Sequence, residues 1–242
     1  MDTTDKRILI QGALESEIQY YLEQECFQNA EKTMRNGFIF YVTPPDHEKM
    51  KGRQVIIGLT RMGMTNAAVA TMTAIHEFSP DMIINQGTAG AHVKELKSGD
   101  IIIGRQAVNI HSLEMVKRDF GEGMCPEEWT GMETEYIDAD EELIRLFEEG
   151  IGERTQTGSV VTGILGSGDL FSKEKDRILW LHDKFDNLSE DMESFAVYAA
   201  CQACGIPCAA LRVISNNELR DEDYDKNTAM ELQRVIWETI MR

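Results

Sequence analysis

Five stretches of this 242-residue chain end an apolar run in residues that can do chemistry. "RILIQGALESE" delivers Glu15 and Glu17, and "DMIINQGTAGA" delivers Gly87, Thr88, Ala89 and Gly90. "GILGSGDLFS" supplies Gly166, Gly168, Asp169, Phe171 and Ser172; "EDMES" supplies Met192 and Glu193; "RVISNNE" supplies Asn216 and Glu218. A carboxylate in such a place can act as a general base or can accept from two hydroxyls at once. An amide donates and accepts but has no acidic proton to deliver. Each signal has a plain structural explanation when taken alone. A glycine after a strand is a turn, Glu193 is a helix-N-terminal acid favoured by the macrodipole, and Glu17 is a solvated helix face. Five such exits in one chain point instead to a common small-molecule site.

Other chemistries fit poorly. No G-x-x-x-x-G-K-[ST] phosphate loop is present, "GILGSG" has the wrong spacing for G-x-G-x-x-G, and a G-x-S-x-G nucleophile elbow is missing. "CQAC" (Cys201 to Cys204) resembles a redox or metal pair, but it lies in an Ala-rich helix without a second pair or a nearby histidine. It reads as buried small hydrophobes, and neither a metal nor a cofactor is expected. His111 in "NIHSL" could edge a site, although a surface or partner contact is the simpler reading.

The elements that must position these residues are visible as a pattern. "RILIQGAL", "RQVIIGLT", "DMIINQGTAG", "GDIIIGRQAV", "GSVVTGILGSG" and "IPCAALRVIS" read as strands apolar on both faces, which belong in a sheet covered by helices on both sides. "NAAVATMTAIHEF", "ESFAVYAACQAC" and "NTAMELQRVIWETIMR" read as helices, the last with Leu232, Val235, Ile236, Thr239 and Ile240 at helical spacing. The alternation predicts an α/β fold, a single domain over residues 1–242 with a mixed, mainly parallel central sheet flanked by helices. In open sheets of this kind ligands bind beyond the carboxyl ends of the strands, where the five exits fall. Gly104 to Thr134 reads as a long excursion able to cover a site or a partner surface.

Composition narrows the ligand. Forty-two acidic against 24 basic residues give a formal net charge of −18, without a Lys/Arg stripe, so nucleic acid is not expected as a partner. No signal peptide and no apolar stretch of membrane-spanning length is seen. The five cysteines fit free thiols in a reducing cytoplasm.

As a set the motifs resemble the nucleoside phosphorylase/nucleosidase superfamily, and most closely the 5′-methylthioadenosine/S-adenosylhomocysteine nucleosidases. "GALESE", "IINQGTAGA", "SGDLF" and "EDMESFAVYAACQACGIPCAALRVIS" occur in the family's order between residue 8 and about 218. The resemblance implies cleavage of the N-glycosidic bond of a purine nucleoside through a sugar with oxocarbenium character. It implies that Glu17 activates water and that Glu193 accepts from the ribose diol. Met192 would pack on the sugar, and Phe171 would stack on the purine. The backbone of Ser172 would read the base edge, and Thr88, Ala89 and Gly90 would form the floor. It also implies a homodimer whose second chain reaches the 5′ end of the substrate, with Met64, Met115, Phe120 and Met124 as apolar candidates.

Two points stay open on the sequence. Phosphorylases of the superfamily hold phosphate with arginines, one of them where this chain has Asn85, and two acids in "LESE" oppose a dianion. Arg61, where the nucleosidases carry Gly, could supply an anion contact or pair with a surface acid, so a phosphate-dependent phosphorylase is the alternative. Secondly, the nucleosidases end this strand in Ile-Ser-Asp, whereas the chain has Ile214-Ser215-Asn216. Three explanations compete: a 6-oxopurine base read by the Asn216 amide, Glu218 acting as the acid in its place, or a nucleoside-binding protein without turnover.

Overall fold

The computed structural model describes residues 2–44, 50–115, 119–121, 127–128, 134–151 and 158–242. All six strand runs form: β1 (Arg7–Gly12), β4 (Gln54–Leu59), β5 (Met82–Ala91), β6 (Ile101–Asn109), β10 (Val160–Ser167) and β12 (Cys208–Asn216). β4–β1–β5–β12 run parallel in that order, β6 joins β12 antiparallel, and β10 joins β6 parallel. A hairpin, β2 (Glu31–Arg35) with β3 (Phe38–Val42), extends the β4 edge, and β9 (Tyr136–Asp138) lines the other side of β6. A separate two-stranded pair joins β7 (Glu114–Met115) to β8 (Glu127–Glu128).

The strand that matters most to the site is β11 (Asn187–Asp191), which pairs with β10 in parallel and with β5 antiparallel. Through it β5, β12, β6, β10 and β11 form a closed ring, so the sheet is barrel-like at this end rather than open. Sequence reading missed β11 because "NLSED" is polar, yet four of its five residues are buried. Asn187, Glu190 and Asp191 are held by hydrogen bonds to other segments more than by apolar packing, which hydropathy does not detect.

Both faces of the sheet are covered. One face of β1, β4, β5, β6 and β12 (Ile8, Ile10, Val55, Ile57, Ile84, Ile103, Leu211, Val213) packs with α3 (Glu141–Ile151) and α6 (Thr228–Ile240). The other (Leu9, Ile56, Ile83, Ile102, Ala210, Ile214) packs with α2 (Met64–Phe78) and α5 (Ser194–Cys204). Burial on two faces is why these strands read as unbroken apolar runs. The spacing seen in the closing helix holds: Leu232, Val235, Ile236, Thr239 and Ile240 are all buried. Helix α4 (Lys175–Phe185) and α3 were not anticipated, because charged residues dominate their exposed faces. The expected excursion starts later than Gly104, since β6 runs to Asn109, and residues 110–134 lie partly outside the described residues.

Candidate active site

β1 stops at Gly12, and a short 3-10 turn (Glu15–Glu17) brings Glu17 back over the strand ends. Glu15 points to solvent, whereas Glu17 is buried. Its Oε2 accepts from the amides of Ala13 (2.8 Å) and Leu14 (3.1 Å), in the manner of a capping-box glutamate. Its Oε1 accepts from the Thr88 amide (2.9 Å) and hydroxyl (3.2 Å). The carboxylate therefore lies directly on β5, which is possible only because residue 87 is glycine: a Cβ there would sit 2.9 Å from Oε1.

Glu193 approaches from the other side, at the N-terminus of α5. It does not cap that helix. Asp191 does so, its Oδ1 accepting from the amides of Glu193 and Ser194 (both 2.8 Å), while the Ser167 hydroxyl takes the amide of Phe195 (2.9 Å). The Glu193 carboxylate is thus released from the cap role and faces the cavity. There it accepts from the Gly63 amide (3.1 Å) and lies 3.7 Å from Arg212 Nη2. Burial pushes its pKa up to about 7, opposed by Arg212 and reinforced by Asp191 and Glu17.

Arg212, wholly buried in the middle of β12, is a positioning group that sequence reading missed. It spans Asp191 Oδ2 (3.3 Å), Glu193 and Asn85 Oδ1 (2.6 Å). A lone arginine within "AALRVIS" was the available signal, since a charge in so apolar a strand must be paired.

Asn216 ends β12 at an irregularity. Ile214 is opposite Ala89 but Asn216 is opposite Gly90, so Ser215 is an extra residue. The bulge moves Asn216 from the face of Arg212 and Ile214 to the face of Thr88 and Gly90. The Asn216 amide then lies 3.4 Å from Glu218 Oε1, with its Oδ1 accepting from the Ser215 hydroxyl (3.1 Å). Glu218 does share a side with Asn216, although it opens a 3-10 turn rather than continuing the strand.

These groups converge on one cavity of about 210 Å³, lined by Glu17, Thr88, Ala89, Gly90, Phe171, Ser172, Met192, Glu193, Asn216 and Glu218. The ten residues expected to bind or act on a substrate are therefore brought together. Met62, Glu190, Asp191, His92, Ile178 and Tyr224 join them, unforeseen as lining residues. Phe171 is half exposed at the rim, and the Ser172 amide, expected to read a ligand, is 3.3 Å from Glu190 Oε2. The lining contains five carboxylates (Glu17, Glu190, Asp191, Glu193, Glu218) and, among the described residues, no lysine or arginine.

Several candidates lie elsewhere. Arg61 does not line the cavity and pairs with no acid among the described residues: it donates to the Gly37 carbonyl (2.6 Å) and stacks on Phe38. His111 packs against Gly168 and does not line the cavity. Cys201 is buried beside Cys208, whereas Cys204 is exposed next to Met72, so the "CQAC" thiols diverge. Asp169, at the glycine-rich exit, accepts from the Met64 amide (2.7 Å) and so caps α2. Phe120 is fully exposed; Met124 and the Met115 side chain fall outside the described residues.

Known proteins resemble this chain along the same lines. A family model described as the phosphorylase superfamily matches residues 7–239. The 5′-methylthioadenosine/S-adenosylhomocysteine nucleosidase of Bacillus pumilus is 31% identical over 87% of this chain and 85% of its own length. Among solved structures, the nucleosidase of the same name from Neisseria meningitidis, in complex with methylthio-immucillin-A, superposes with a TM-score of 0.78 at 24% identity. That match covers 98% of this chain and 99% of the other. A futalosine hydrolase mutant of Helicobacter pylori superposes with a TM-score of 0.77, also at 24% identity, over 97% and 98% of the two chains.

Proposed function

Because the chain belongs to the phosphorylase superfamily, we propose that it is a purine nucleosidase, of the methylthioadenosine/S-adenosylhomocysteine type or acting on a 6-oxopurine nucleoside. The observation that carries this reading is that Glu17 and Glu193 line one cavity from separate elements. Glu193, supported by Arg212, accepts from the ribose diol. Glu17, held by four donors, presents its carboxylate to water; the Thr88 hydroxyl is the one donor that can rotate away. Met192 covers the sugar, Phe171 closes over the base, and Asn216 donates to the base as it leaves. Glu218, next to Asn216, is the group there able to deliver a proton.

Water rather than phosphate is the acceptor in this proposal. Five carboxylates without a lining cation among the described residues oppose a phosphate dianion, and the nearby Arg212 is taken up by Asp191, Glu193 and Asn85. The proposal takes residues 1–242 as one domain of a cytoplasmic homodimer. In support, Met62 lines the cavity while 56% exposed, so a second chain seated there would complete the site. Among the described residues no helix is long and apolar enough to cross a membrane.

The test is product analysis on a purine nucleoside panel with and without phosphate. Free base and free sugar are expected at the same rate in both, and Glu17→Gln should lower kcat about 10²–10⁴-fold. A strict phosphate requirement with ribose 1-phosphate as product would replace the nucleosidase by a phosphorylase. Stabilisation by nucleosides without any base release would leave only a binding protein.

A further inference from the structure

On β11, Glu190 pairs with Gly90 of β5, and Gly90 pairs on its other side with Asn216 of β12. The three residues form one row across neighbouring strands, and residues in such a row point to the same face. Gly90 has no side chain, and the Asn216 amide leans to within 3.5 Å of where its Cβ would be; the Glu190 and Asn216 backbones are roughly 10 Å apart. Both side chains line the one cavity.

The two flanking groups are not equally informative. Asn216 carries an amide already engaged by Glu218 and the Ser215 hydroxyl, and its N–H can meet an acceptor on either kind of purine. Glu190 is more restrictive. Its Oε2 is 3.2 Å from His92 Nε2 and 3.3 Å from the Ser172 amide. The histidine is itself oriented: Asn187 Nδ2 lies 2.9 Å from His92 Nδ1 and 2.9 Å from the Ser189 carbonyl. That carbonyl needs an N–H, which fixes the Asn187 amide, makes Nδ1 the acceptor and puts the proton on Nε2, facing Glu190. With two donors directed at Oε2, the other oxygen is left as an acceptor. Oε1 is buried and has no hydrogen-bond partner among the described residues, although Glu190 lines the cavity. Leaving such an acceptor unsatisfied is costly, so the site is complete only when something donates to it.

We propose that Glu190 reads the N1–H of a 6-oxopurine, and that the Glu190–His92–Asn187 chain makes this protein selective for hypoxanthine- or guanine-type nucleosides. The inference rests on the purine nucleosidase reading and names the base. A 6-oxopurine offers N1–H to Glu190 and two acceptors, O6 and N7, to the Asn216 amide. A 6-aminopurine presents a lone pair at N1, which meets the Glu190 acceptor head on. Rejection therefore comes from Glu190 and not from Asn216. A site built to hydrogen-bond an N–H discriminates strongly against analogues lacking it.

The experiment measures base release from pairs matched at the 5′ position: inosine against adenosine, and 5′-methylthioinosine against 5′-methylthioadenosine. 1-Methylinosine serves as a 6-oxopurine without the donor. The expected kcat/KM ratio favours the 6-oxo member by about 10²-fold or more. 1-Methylinosine falls to the level of the 6-amino compounds, and Glu190→Gln brings the paired ratios close to one. Equal or faster cleavage of the 6-amino member, or an unchanged ratio in Glu190→Gln, overturns the assignment while leaving the nucleosidase intact. Should Glu190→Gln not fold, 1-methylinosine on the wild-type protein decides. Should no nucleoside release base, the nucleosidase reading fails, and calorimetry with hypoxanthine and adenine judges the base assignment alone; equal affinity overturns it.

Discussion

Among single residues, Glu193 is the one whose protonation the structure sets apart. Its pKa is raised from 4.5 to about 7, first by burial, with Asp191 and Glu17 adding to the rise and Arg212 opposing it. A carboxyl raised in the folded state binds an extra proton there, between about pH 4.5 and 7. The stability it contributes is present below the unfolded value and lost as pH rises through about 7. Activity runs the other way, because the ribose diol needs the acceptor form. We expect kcat/KM to rise with pH through about 7 and then level off. Glu193→Gln should lack this limb and show a flatter dependence of Tm on pH over the same interval. A wild-type profile without a rise through about pH 7 would contradict the role given to Glu193.

At the scale of elements, the site depends on two departures from regular structure. One is the direct seating of the Glu17 turn on β5. Gly87→Ala places a methyl 2.9 Å from Glu17 Oε1 and must push the carboxylate off the Thr88 amide. Misplacement of a reacting group by about 1 Å can cost 10²-fold in rate. Gly87→Ala is therefore expected to lower kcat by about that factor, while a thermal melt shows a folded protein and KM changes little. Unaltered kcat would mean that the position of Glu17 does not matter. The other departure is the Ser215 bulge, which gives Asn216 its face. Helix α5 contributes by what it does not use: Asp191 and Ser167 take its first amides, leaving Glu193 to the cavity.

For the molecule as a whole, the net charge of −18 and the carboxylate-lined cavity suit an uncharged nucleoside and disfavour anions. Exposed apolar residues lie at the cavity and along α2. Met62 is 56% exposed, Val69 and Met72 on α2 are 47% and 44% exposed, and Leu170 and Phe171 form the rim. Exposed apolar surface of this kind suits a protein partner. In light scattering we expect twice the 27.4 kDa chain mass. Met72→Glu should return the single-chain mass and lower kcat/KM. A single-chain mass for the wild type at assay concentration would remove the dimer from the proposal.

What the sequence determined alone was the framework and the chemical vocabulary. Strands buried on both faces are apolar throughout, and the residues that end them are polar only where a ligand or a turn demands it. Six strands, three helices and ten of the residues that line the cavity were therefore legible locally. Tertiary structure decided which polar groups meet. β11 was hidden because its buried polar side chains bond to distant segments, and with it the place of Glu190 and His92 in the cavity. The partners of Arg212 come from two other segments of the chain, Asn85 from β5 and Asp191 with Glu193 from the junction of β11 and α5. The face taken by Asn216 turns on one extra residue, Ser215, whose bulge exists only in register with β5. Hydropathy is a property of neighbours in the chain, whereas pairing and register are set by contacts between segments far apart in it.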